Sequence, residues 1–318
     1  MVNRGADKSM VLMTDKKGMF FTLFVIVVLT LFLVSVSFYS FVKERKPIQT
    51  RITTLNNLID SIEKDMSRQL FISGYRGVVS LQSYITDRGG FIINTEESLK
   101  EALLNGSVNS TSMGLMEGYT LEDWKPKVEA LGNKLNLDIN YSILSVELVQ
   151  DDPWSIKIRM EANFSIRDKT ELARWERVKI IETMIKIDGF EDPIYLLNTN
   201  GLITNKFIRS PFSFFVSGPD VSNLFNHTQN SYYIASSSAP SFLDRFEGKT
   251  SANTNGIESI VNLNELSAQG IPLLNKPVVD YIYFSSSNPG SCNVLPNGMP
   301  SWFKLDDSHL AVYQVSCS

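Results

Sequence analysis

Residues 154–167, WSIKIRMEANFSIR, alternate without a slip: Trp154, Ile156, Ile158, Met160, Ala162, Phe164 and Ile166 on one side, Ser155, Lys157, Arg159, Glu161, Asn163, Ser165 and Arg167 on the other. A period of two with one apolar and one wet face is the pattern of an antiparallel sheet lying on a core. Upstream, Leu137, Ile139, Tyr141 and Ile143 alternate likewise; the apolar phase then slips to Leu144, Val146 and Leu148, which predicts a bulge. Asp151-Asp152-Pro153 supplies the turn between these two strands, and a third is expected over about Arg177 to Ile187.

The element that covers such a meander is legible further upstream. Apolar residues recur in steps of three and four at Ile48, Ile52, Leu55, Ile59, Ile62, Met66 and Leu70, and Val78, Leu81, Tyr84 and Ile85 resume the period after Gly74 and Gly77. This is an amphipathic helix, with Pro47 at its start or at a kink and Gly89-Gly90 as its stop. Its stripe reads either as a coiled-coil seam or, more commonly, as the face of a helix laid on its own domain. Two shorter helices follow, from Thr95 to Leu104 and from Thr120 to Leu135, with an Asn-, Ser- and Gly-rich segment from Asn105 to Gly118 expected as an exposed loop.

Residues 18–42 carry no charge and, as a helix, span roughly 37 Å, more than a hydrocarbon core of about 30 Å. A transmembrane helix is expected, too long for the apolar part of a secretory signal and without a small-x-small cleavage site at its far end. Lys16 and Lys17 flank it on one side, Lys43, Arg45 and Lys46 on the other, so the positive-inside rule is nearly silent. The long segment after Val42 sets the expected topology: a single-pass protein of the cell membrane, N-terminus cytoplasmic and bulk extracellular.

The 318 residues carry a formal charge of −4; residues 1–18 hold Arg4, Lys8, Lys16 and Lys17 against Asp7 and Asp15, leaving 26 basic and 32 acidic residues beyond. That balance lacks the basic face a nucleic-acid partner needs. From Phe190 onward short apolar pieces alternate with Asn, Ser, Gly and Pro. Ser241 to Phe246 and Asn262 to Ser267 read as short helices and Val278 to Ser285 as a strand. The fold class is therefore α+β: a long N-terminal transmembrane and amphipathic helix packed on an antiparallel β-sheet, with a loop-rich, mostly β distal region. The expected segments are a basic leader at 1–18, the membrane helix at 19–42, the spine and sheet at 43–189, and a distal domain or extension at 190–318.

Chemistry-bearing motifs are few. Cys292 and Cys317 are the only cysteines and lack the spacing of a redox or zinc site. They read as a disulfide worth roughly 3–4 kcal/mol in an oxidising exterior, or as two unrelated thiols. Asn-x-Ser/Thr sequons at Asn105, Asn109, Asn140, Asn163 and Asn226 are candidate glycosylation sites, at about the number chance provides. With only His227 and His309 a His-rich metal site is excluded; Asp306, Asp307 and His309 read as a polar turn, with a cation site the lesser alternative. No hydrolase elbow or phosphate loop occurs, and the serine runs 236–238 and 285–287 have no base near them in sequence. No enzymatic activity, cofactor or metal is expected. The distal aromatics Phe212, Phe214, Phe215, Tyr232, Tyr233, Tyr281, Tyr283, Phe284, Trp302 and Phe303 read as core, or as an exposed cluster suited to carbohydrate or protein.

Lys16-Lys17-Gly18 before an apolar helix, with Met19 as the new N-terminus, resembles the class III signal peptide of archaeal type IV pilin-like proteins. The resemblance implies cleavage after Gly18, retention of the helix as an assembly element, and partners in membrane lipid and in copies of itself or other pilin-like subunits through residues 19–70. The sequence departs from that pattern in having Met19 where many pilins begin with Gln, and Leu23 where they carry Glu. The segments FEDPIYLLNTNG (190–201), PSFLDRF (240–246), NGIESIVNLNELSAQG (255–270) and VVDYIYFS (278–285) resemble a group of uncharacterised archaeal envelope proteins. The function expected is a membrane-anchored surface protein, either a pilin-like subunit or a tethered adhesion ectodomain.

Overall fold

The computed structural model describes residues 16–171, 173–294 and 298–317, leaving aside the side chains of residues 16, 17, 19, 40 and 42–48. The expected leader therefore lies outside the described residues up to residue 15. The chain forms two compact units, Met1–Asp60 and Ser61–Ser318.

In the first unit the described chain is one helix. It belongs to α1 (Lys16–Arg88), which is continuous through residue 47. Phe20–Tyr39, with mean hydropathy 2.7, is long and apolar enough to cross a membrane, and its large side chains are exposed all round. A helix apolar on every face has no polar side to turn to water.

In the second unit α1 carries the buried stripe Ile62, Met66, Leu70, Val78, Leu81 and Ile85. Then come α2 (Thr95–Asn105), β1 (Ser107–Val108) paired with β2 (Thr111–Ser112), a 3-10 turn at Gly114–Met116, and α3 (Leu121–Lys134). The segment expected as an exposed loop is thus a small hairpin and a turn, with Val108, Met113 and Met116 buried. Asn94 caps α2, accepting the Glu97 N–H at 3.0 Å. Thr120 and Asp123 form a reciprocal capping box on α3.

The meander is β3 (Leu137–Asp152), β4 (Ser155–Asp168) and β5 (Arg174–Lys186), antiparallel in that order. The bulge falls between Ile143 and Ser145, turning Leu144 outward. From Ile156 to Ile166 every second residue of β4 is buried, whereas Val178, Ile180 and Met184 of β5 face out. On the other side of the sheet, Ser67 Oγ donates to the Glu182 carbonyl at 3.3 Å, and Glu63 pairs with Arg177 and, at 2.9 Å, with Lys179.

Gly74 explains how α1 comes so near the strands. A Cβ built there would lie 2.4 Å from Ile158 Cδ1 and 2.6 Å from Ile185 Cδ1, so the residue that weakens the helix as a sequence is what fits it to β4 and β5. Gly74→Leu is expected to destabilise the second unit by about 1–3 kcal/mol through overpacking, despite the better helix propensity of leucine. The midpoint of urea unfolding of the full chain, read against Gly90→Ala, where an added Cβ meets nothing within 4 Å among the described residues, checks this.

The distal region follows as α4 (Pro193–Asn198), α5 (Ser222–Gln229), β6 (Tyr233–Ala235), α6 (Phe242–Phe246), β7 (Ile257–Ser259), α7 (Leu263–Ala268), α8 (Asp280–Tyr283), β8 (Ser291–Asn293), β9 (Lys304–Asp306) and α9 (Asp307–Leu310). β6 pairs with β7 and β8 with β9, both antiparallel. The expectation of a mostly β region is corrected: short helices outweigh the strands. The expected strand Val278 to Ser285 likewise contains α8 instead, where the Asp280 carboxylate is held by Arg245 at 3.0 Å and by the Ser259 hydroxyl at 2.9 Å. Cys292 and Cys317 are joined as a disulfide.

Candidate functional site

Residue by residue, the centre of the distal region is a buried ionic network. Arg245 closes α6, whose start is fixed by a capping box between Ser241 and Asp244. Its guanidinium is fully buried and donates from Nη1 to Asp192 Oδ2 at 2.5 Å and to Asp280 Oδ2 at 3.0 Å, and from Nη2 to the Ile257 carbonyl. Burial opposes its charge, but the two carboxylates outweigh burial and hold it protonated.

Each carboxylate has a second task. Asp192 caps α4 by accepting the Ile194 N–H at 2.9 Å, and it accepts the Tyr233 hydroxyl at 2.7 Å. Asp280 accepts the Ser259 N–H at 3.1 Å and the Ser259 hydroxyl at 2.9 Å, while the Tyr195 hydroxyl lies 3.0 Å from Ser259 Oγ. Burial pushes the Asp280 carboxyl up to about 6, against the pull of Arg245. One guanidinium thus ties the starts of α4 and α8 to β7.

Next along β7, Glu258 begins a second cluster. It accepts the Tyr313 hydroxyl at 3.0 Å, and its Oε2 lies 3.4 Å from His309 Nε2, which is also 3.2 Å from the Tyr281 hydroxyl. His309 Nδ1 lies 2.7 Å from Asp306 Oδ1. Burial opposes protonation of His309, but the hydrogen bonds to Asp306 and Glu258 win and push it up to about 10. His227, buried without an acid beside it, is pushed down to about 3.

Ser308, His309 and Asp306 have the composition of a nucleophilic relay but not its geometry. Ser308 Oγ, at 3.1 Å, and Asp306 both face the same ring nitrogen, Nδ1, whereas a relay needs the hydroxyl and the acid on opposite nitrogens. Among the described residues no group of three His, Cys, Asp or Glu side chains is arranged to hold a metal ion. What the two clusters do is hold α4, α6, α8, α9, β6, β7 and β9 together in a region with little regular structure.

The other candidate residues are scattered. Gly18 lies in the first turns of α1, and the side chains of Lys16, Lys17 and Met19 are outside the described set. Asn105, Asn109, Asn140 and Asn226 are exposed and Asn163 half-buried, on α2, the β1–β2 turn, β3, α5 and β4. The distal aromatics do not form an exposed cluster: Phe215, Tyr233, Tyr281, Tyr283 and Phe303 are core, Phe212, Phe284 and Trp302 pack against it, and Phe214 is half exposed.

Sequence reasoning missed Asp192, Arg245, Glu258, Ser259 and Asp280, although a signal was present. They occupy the four segments at 190–201, 240–246, 255–270 and 278–285, and the fold brings these segments to one place. Beside them, reached at Tyr281, is an open cavity of about 170 Å³. No protein-family model, no curated protein and no solved structure matches the chain.

Proposed function

We propose that the chain is a pilin-like structural or assembly subunit of a cell surface, held by one membrane-spanning helix with its N-terminus cytoplasmic and residues 61–318 outside. The observation that carries this reading is α1: one helix, Lys16–Arg88, exposes apolar side chains on every face over Phe20–Tyr39 and buries one face from Ile62 to Ile85. Its first part suits lipid or copies of itself, and its second part is the spine on which the antiparallel sheet is laid. Residues 19–70 are the assembly surface in this reading, and Lys16-Lys17-Gly18 the processing signal that frees it.

Intact mass and N-terminal sequencing of the chain from native membranes test the proposal, with Gly18→Trp as the variant. A Cβ added at Gly18 would meet nothing within 4 Å among the described residues, so the position has room for a larger side chain. The expected wild-type chain starts at Met19, and the variant keeps residues 1–18 and fails to cross-link into oligomers. A wild-type start at Met1, or equal maturation of the variant, overturns the reading. It would leave the second one, a tethered binding ectodomain, which the distal core with its adjoining cavity favours.

A further inference from the structure

The cavity beside the ionic network has a lining of one chemical kind. Phe91, Tyr281 and Phe284 give it aromatic walls; Asn198, Thr250 and Ser286 give it a polar rim, and among the described residues no charged side chain lines it. The walls are fixed. Tyr281 is anchored through its hydroxyl at His309 Nε2, 3.2 Å away, and Phe284 packs edge-on against Tyr195 with centroids 5.2 Å apart. Phe91 lies on the bare backbone of Gly248, where a Cβ would come within 2.7 Å of the ring, and the chain beside it is pinned by the Ile92 N–H donating to the Phe246 carbonyl at 2.9 Å.

The rim is unspent. The hydroxyls of Thr250 and Ser286 have no hydrogen-bond partner among the described residues, and Asn198 commits its amide nitrogen to the Ile194 carbonyl at 2.8 Å while its side-chain oxygen has none. Hydroxyls both donate and accept, so they match a ligand that itself bears hydroxyls. A cation or carboxylate would find no charged side chain among the described residues of the lining itself. About 170 Å³ is below the roughly 300 Å³ at which pockets for drug-sized ligands begin, and it suits a single ring.

The geometry points to a binding site for one neutral saccharide ring, its C–H face on the aromatic wall at Phe91 and its hydroxyls on Asn198, Thr250 and Ser286. This site is independent of whether α1 assembles. At the ligand efficiency usual for small ligands a ring of roughly 12 atoms binds with Kd on the order of 1 mM. Saturation-transfer NMR on the full chain in lipid nanodiscs, which avoid sugar-headed detergents, reads that range.

The probes are the methyl glycosides of glucose, galactose, mannose and N-acetylglucosamine, with glucuronate, glucosamine, adenine and uracil as counter-probes. At least one neutral glycoside is expected to saturate in the low millimolar range. Phe91→Ala should weaken it at least fivefold and Ser286→Ala about threefold, with the near-UV circular dichroism of both variants unchanged. The site is disproved if no neutral glycoside saturates, if Phe91→Ala binds as wild type does, or if a charged sugar or a nucleobase binds more tightly than every neutral one.

Discussion

Arg245→Met is expected to cost about 3–5 kcal/mol of the stability of residues 61–318, enough to unfold the distal region at ordinary temperature. The reason lies in what remains. Asp192 and Asp280 are both buried, and the Arg245 guanidinium between them lies 2.5 and 3.0 Å from their oxygens. Removing one partner of a buried ion pair strands the other charge, and here it strands two that face each other. Asp280, already pushed up to about 6 by burial, then loses the guanidinium that opposes that rise.

The same logic predicts a rescue. In Asp192→Asn/Arg245→Met/Asp280→Asn no charge is left stranded, and most of the loss should return, because replacing a whole buried ionic group costs far less than breaking it. Urea unfolding of the full chain in micelles, followed by near-UV circular dichroism, separates the cases. If the single and triple variants unfold at the same midpoint, Arg245 matters for its packing and not for its charge. Arg245→Lys tests shape at constant charge: an ammonium cannot bridge two carboxylates and the Ile257 carbonyl from one plane, so a substantial loss is expected there too.

These residues also show where the sequence could be read and where it could not. Helix starts were legible because capping is local: Thr120 with Asp123 and Ser241 with Asp244 each close a box within three residues. The sheet was legible because its period is carried residue by residue, and the bulge because the slip at Leu144 breaks that period in the string itself. Val278 to Ser285 was misread because its alternation is real but its conformation is set from a distance. Asp280 is held by Arg245, 35 residues away, and by Ser259, 21 away, and no local rule weighs such partners.

The segment Asn105 to Gly118 failed in the opposite way. Its Asn, Ser and Gly content dominates the pattern, while three of its four apolar residues, Val108, Met113 and Met116, decide its burial and Leu115 stays exposed. The ionic network had a fainter trace. Arg245 stands between Phe242 and Phe246 on a short apolar helix, and Asp280 in a run of Val, Tyr and Ile. A charge set among residues of that kind is either exposed at an edge or buried with a partner, and sequence alone does not pair them.

Alkaline pH should unfold the distal region through His309. Its folded-state pKa, pushed up to about 10, stands above the ordinary 6.5. The stabilisation is therefore complete below pH 6.5 and is lost as the pH rises through 10, at about 1.4 kcal/mol per pH unit within that window. The whole effect is on the order of several kcal/mol, shared among Glu258, Asp306 and the hydroxyl of Tyr281. The other shifted groups leave the window clear. Asp280 favours its protonated form and changes only between the ordinary carboxylate range and about 6, losing its contribution as pH rises; His227, pushed down to about 3, gives stability above 6.5 that is lost on acidification. The buried tyrosines beside the cluster, Tyr281 and Tyr313, are pushed upward, beyond the window. His309→Gln should thus be less stable than wild type at pH 6.5, with a stability nearly flat from pH 6.5 to 9.5, so that the two curves converge as the pH rises. Urea midpoints at pH 6.5, 7.5, 8.5 and 9.5 decide it: parallel slopes would mean that another group carries the alkaline loss, and that Glu258 and Asp306 do not hold His309 charged.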